Sequence, residues 1–98
     1  MNYANPQSKQ KSVMPELFSE ADRDWIQEQL QRLRPSVRPK IALKYAEVYQ
    51  EAFENEEVTY RQENKARREA NTRLRLFVNR YAAASEGITS RPPQVAKQ

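Results

Sequence analysis

Cysteine and histidine are both absent from the chain. Without thiols there are no disulfides and no thiolate metal sites, and without imidazole the commonest general base at neutral pH is missing. Glycine occurs once, at Gly87, so no glycine-rich loop brings backbone amides onto a phosphate. No apolar run approaches the length of a membrane span, and the opening MNYANPQSKQKSVM lacks the apolar middle of a signal peptide. These absences lead to the expectation of a cytoplasmic, non-enzymatic protein with no cofactor and no metal.

Proline is confined to positions 6, 15, 35, 39, 92 and 93, which leaves Lys40 to Glu86 free of both proline and glycine. Strands joined by tight turns need such punctuation, so this run favours helix. A chain of 98 residues holds one domain at most, with little stability in reserve.

The pattern predicts an all-α fold, a small three-helix bundle in which a helical hairpin is crossed by one packing helix. Residues 1–13 are polar and read as a disordered N-terminal segment, residues 14–87 as the helical domain, and residues 88–98, with Arg91-Pro-Pro-Gln, as a disordered tail. Helix one starts at Ser19, whose side chain and that of Asp22 form a capping box. It buries Phe18, Ala21, Trp25, Ile26, Leu30 and Leu33, has Arg32 and Arg34 at its negative end, and is stopped by Pro35. Helix two starts with Pro39 in its first turn and runs to about Asn55. Its buried side is Ile41, Ala42, Tyr45, Val48, Tyr49, Ala52 and Phe53, and Lys40, Glu47, Glu51 and Glu54 point away.

The segment from Glu54 to Thr59 holds no breaker, yet a single helix from 39 to 86 would leave its apolar stripe without an intramolecular partner. A reversal is therefore expected, with Thr59 and Gln62 as a second capping box. Helix three ends near Glu86, where Gly87 suits a left-handed cap. It buries Ala66, Ala70, Leu74, Phe77, Tyr81 and Ala84.

Opposite that stripe lie Arg61, Lys65, Arg68, Thr72, Arg75 and Asn79, at alternating spacings of four and three. Lys and Arg number 17 against 13 acidic residues, a net +4, and the segment from Thr59 to Glu86 carries seven basic against three acidic residues, the same net charge. Arginine dominates the set, which suits bidentate contacts to carboxylate or phosphate. Leu76 projects beside Lys65 and Thr72 instead of toward the apolar side, and Leu43 projects from the polar side of helix two.

Three uses of this face follow. Recognition of a protein partner engages the basic residues and the exposed leucine together, which makes Arg61, Lys65, Arg68, Thr72, Arg75, Leu76 and Asn79 the candidate site. Binding of DNA or RNA engages the arginines, with Thr72 and Asn79 reaching bases or phosphates. Pairing between copies would set the outward Glu47, Glu51 and Glu54 of one molecule against the basic column of another, giving a homo-oligomer. The acidic run Glu47, Glu51, Glu54, Glu56 and Glu57 lacks the turn glycine and alternating ligands of a calcium loop, so it reads as solvated helix surface.

The tract from Glu63 to Tyr81, ENKARREANTRLRLFVNRY, resembles small helical accessory proteins of enterobacterial phages and prophages over about a fifth of the chain. That resemblance implies a non-catalytic effector that regulates a process by binding a host or phage component. No functional residue is carried over from it.

Overall fold

The computed structural model describes residues 13–90, with side chains through residue 83. Three α-helices, α1 (Arg23–Gln31), α2 (Arg38–Asn55) and α3 (Gln62–Ser90), form an all-α bundle, and short 3-10 turns at Glu20–Asp22 and Thr59–Arg61 lead into α1 and α3. No strand occurs among the described residues.

The helices α2 and α3 run antiparallel. Gln62 donates from Nε2 to the Phe53 carbonyl at 3.0 Å, whereas Tyr45, two turns earlier, donates to Asn71 Oδ1. Partner numbers thus fall on one helix as they rise on the other. The segment leading into α1 and the start of α1 run parallel to α3, partner numbers rising together. Ser19 donates to Glu63 at 2.8 Å, Asp22 meets Arg67, and the Arg75 guanidinium lies 5.5 Å from the Trp25 ring centroid.

The core is built from Ile26, Leu30 and Leu33, from Ile41, Ala42, Tyr45, Tyr49 and Ala52 of α2, and from Ala66, Ala70, Leu74 and Val78 of α3. Alanines at 66 and 70 let the α2 backbone come close, and the larger side chains of Tyr45 and Tyr49 fill the space. Their rings stack at 6.3 Å, and Tyr49 stacks on Phe53 at the same distance. Burial pushes the Tyr45 phenol well above its usual range.

Several expectations are corrected. Ser19 does accept the Ala21 N–H, but Asp22 does not return the favour and instead reaches across to α3. Thr59 makes no cap. Val58 precedes the turn without a side-chain bond, its own N–H donates to Glu56 Oε2 at 3.0 Å, and Gln62 binds the end of α2. The negative end of α1 is closed by Arg38, which donates to the carbonyls of Leu30 and Leu33 at 3.0 Å each and of Gln31 at 3.2 Å. Arg38 sits one turn beyond Arg34, where it can fold back along the chain onto the carbonyls of the helix end.

Phe53 and Tyr81 were expected in the core but are 36% and 43% exposed, because each lies near an end of the hairpin where the opposite helix runs out. Ala21 is exposed, Val48 and Phe77 are half-buried, and Ala46 and Val78 take buried places instead. Gly87 does not end α3, which continues to Ser90, the last described residue. A glycine inside a helix costs about 1 kcal/mol relative to alanine, and the alanines at 82–84 precede it without a proline before position 92. Val13 belongs with the fold, half-buried against the core, and residues 88–90 are helical. The rest of the two segments expected to be disordered, and the side chain of Ala84, lie outside the described residues.

One polar network ties all three layers together. Asp22 accepts two bonds from Arg67, at 2.8 and 2.9 Å, and a third from Asn71 Nδ2 at 3.0 Å, while Asn71 accepts from Tyr45. The Arg67 hydrogen bonds hold the Asp22 carboxyl below the usual aspartate range, against an opposing effect of burial. A lowered folded-state value means that this pair stabilises above the unfolded pKa of about 4, and that the gain disappears as pH falls through the folded one. Asp22→Asn is therefore expected to be less stable than wild type by about 1–2 kcal/mol at pH 7. Urea titrations at descending pH should show the gap narrowing in acid below about pH 4. A gap independent of pH would contradict the ionic character of the contact.

Candidate functional site

The stripe anticipated on the third helix runs along the side of α3 opposite its buried residues. Arg61, Arg68, Thr72, Arg75, Leu76 and Asn79 are all exposed, and Lys65 is half-buried at the edge. The same periodicity that buries Ala66, Ala70, Leu74 and Val78 turns these positions outward.

Its margins are held by neighbouring elements. Lys65 Nζ lies 4.0 Å from Glu56 Oε1, in the reversal after α2. On the other margin Arg75 covers Trp25, itself half-buried against the core. At the near end the Arg61 guanidinium sits 5.6 Å from the exposed Tyr60 ring. Such cation–π contacts contribute about 0.5–1 kcal/mol at exposed sites and orient a planar guanidinium without neutralising it.

The middle of the face is different. Arg68 takes part in none of the ion pairs among the described residues. Together with Glu69, Thr72 and Arg73 it surrounds Leu76 in a shallow groove. Leu76 is 55% exposed there. The result is an apolar side chain collared by two guanidinium groups, a hydroxyl and one carboxylate.

Sequence spacing assigned Arg67 to the general positive charge of the third helix, but it is spent inside the molecule on Asp22. Its place one residue after Ala66, with Asn71 one turn on, sets it on the flank of the buried stripe. That flank position was the available signal. With Arg67 committed to Asp22 and Lys65 set near Glu56, the outward charge of α3 and the turn leading into it rests on Arg61, Arg68, Arg73, Arg75 and Arg80.

Leu43, the other outward leucine, is 61% exposed on α2. It lines a separate groove with Val13, Met14 and Ala46 and shares no surface with Leu76. The outward acidic residues Glu47, Glu51 and Glu54 gather with Gln50 and Asn55 along α2.

The α3 face is the side of a single helix, so it is not concave enough to enclose a small molecule. Among the described residues there is no group of three or more His, Cys, Asp or Glu side chains placed to hold a metal ion. No helix among them is long and apolar enough to cross a membrane. Comparison with known proteins finds no matching family model, no matching curated protein and no matching solved structure.

Proposed function

We propose that this is a non-enzymatic, cytoplasmic binding protein that regulates a protein partner through the outer face of α3, in the manner of a phage or prophage effector. The observation that carries the reading is Leu76, exposed within its collar of Arg68, Thr72 and Arg73. Burying the remainder of a leucine side chain against a partner yields about 1 kcal/mol. The arginines on either side add bidentate bonds to carboxylates and fix the register. A phosphate backbone uses the arginines but gains nothing from the leucine.

A second reading, binding to DNA or RNA, draws on the spacing of Arg61, Arg68 and Arg75. They repeat every seven residues, about 10.5 Å along a helix that would fit a major groove. The two readings differ at Leu76. Replacing Leu76 by serine is expected to weaken partner binding about tenfold, through lost apolar burial, with no loss of affinity for random duplex. If α3 instead neutralises about four phosphates, raising salt from about 50 to about 200 mM should weaken duplex binding on the order of a hundredfold. Titration of labelled duplex against both forms decides between them. Tight, salt-sensitive duplex binding that ignores Leu76→Ser would establish the nucleic-acid reading.

A further inference from the structure

Between α2 and the segment before α1 the fold carries a surface that complements the α3 face. Leu17, just ahead of α1, and Tyr49 and Phe53 of α2 line a cleft of about 280 Å³ whose rim is Gln50 and Glu54. Leu17 is 40% exposed and Phe53 36%, so its floor is apolar and open to solvent. Glu47 and Glu51 continue the acidic edge from Glu54 along α2. The α3 face has the converse character, an apolar projection with a basic collar.

We infer that a second copy of this chain docks here, Leu76 of one molecule entering the Leu17–Tyr49–Phe53 cleft of the next. Arg68 then faces Glu54 across the seam. The inference rests on the reading of α3 as a protein-contact face and names one occupant of it. The two surfaces match in kind: a leucine meets an apolar floor, and a guanidinium meets a carboxylate. Charge complementarity of this sort sets orientation and excludes the like-charged alternatives of α2 on α2 or α3 on α3.

Each copy donates one leucine and offers one cleft, so the contact either closes as a pair, when both contacts form between the same two copies, or extends from copy to copy. A regulatory partner that binds α3 competes with this contact and returns the protein to single molecules.

Sedimentation of the full chain at low salt, over a range of loading concentrations, reads the assembly directly. The weight-average mass of wild type is expected to climb from 11.6 kDa to at least twice that value, and to fall back when salt is raised. Leu17→Glu and Leu76→Glu, both at exposed positions, should each remain monomeric. An equimolar mixture should form a dimer and stop there, because one variant keeps the leucine and the other keeps the cleft. Glu54→Lys, on the rim, repeats the cleft-side test without altering the floor.

Wild type that stays monomeric at every concentration overturns the inference, and the α3 reading then stands or falls on its own partner-binding test. Wild type that assembles while the mixture stays monomeric also overturns it, by showing that the contact is not Leu76 in this cleft.

Discussion

Leu74→Ala is expected to lower the unfolding free energy by about 3 kcal/mol, through lost transfer energy and a cavity the neighbours close only in part. Leu74 is 1% exposed and sits between the two close-packed alanines of α3 and Val78. Ala66 and Ala70 have no atoms to move into the gap, and the stacked Tyr45 and Tyr49 rings are held from the other side. A domain of this size has a total stability of about 4–12 kcal/mol, so the loss is a large share of it. With a urea slope of about 1 kcal/mol per molar, the midpoint should drop by about 3 M. Leu43→Ala removes the same atoms from an exposed position and should shift stability by under about 0.5 kcal/mol. Equal shifts for the two variants would mean that the core is not organised around Leu74.

Much of this architecture can be read from residue order because local rules and global packing agree along most of the chain. Pro35 lies in the connection between α1 and α2 and Pro39 in the first turn of α2, and the pattern of Ile41, Ala42, Tyr45, Tyr49 and Ala52 defines one buried side. The reversal after Asn55 follows from a requirement on the whole molecule, since α3 needs something to cover Ala66, Ala70 and Leu74. The outward placement of Arg68, Thr72, Leu76 and Asn79 is the complement of that burial.

The departures have a common origin in choices among several available partners. Asp22 has the spacing of a capping box with Ser19, but Arg67 offers two hydrogen bonds with opposite charge, and the tertiary contact wins. Gln62 is likewise drawn from Thr59 to the Phe53 and Glu56 carbonyls at the end of α2, where intrahelical partners run out. Periodicity alone also places Phe53 and Tyr81 inside. It reports angle around a helix and carries no information about where the facing helix stops. The cleft beside Leu17 was invisible for a related reason, because it joins residues from two elements more than 30 positions apart.

The candidate face makes a demand that is separate from stability. Reversing Arg68 and Arg75 together, as Arg68→Glu and Arg75→Glu, moves the α3 face by four charge units and sets carboxylates where a carboxylate-bearing partner would approach. Truncating a charge loses an attraction, but reversal adds repulsion, and like charges across an interface cost several kcal/mol. Binding is expected to weaken by at least about a hundredfold, which a capture experiment registers as complete loss. Neither side chain is part of the Asp22–Arg67–Asn71–Tyr45 network. Among the described residues, Arg68 is exposed and takes part in no ion pair, and Arg75 makes its contact over Trp25. Helicity and the urea midpoint should therefore remain close to those of wild type.

The most direct measurement is side-by-side capture from the cells that naturally express the protein, using tagged wild type and the Arg68→Glu/Arg75→Glu variant at equal helicity, with bound proteins quantified by mass spectrometry after nuclease treatment. A specific protein retained by wild type and lost from the folded variant is the predicted result. The same protein retained equally by both forms would contradict the assignment of the binding surface to α3.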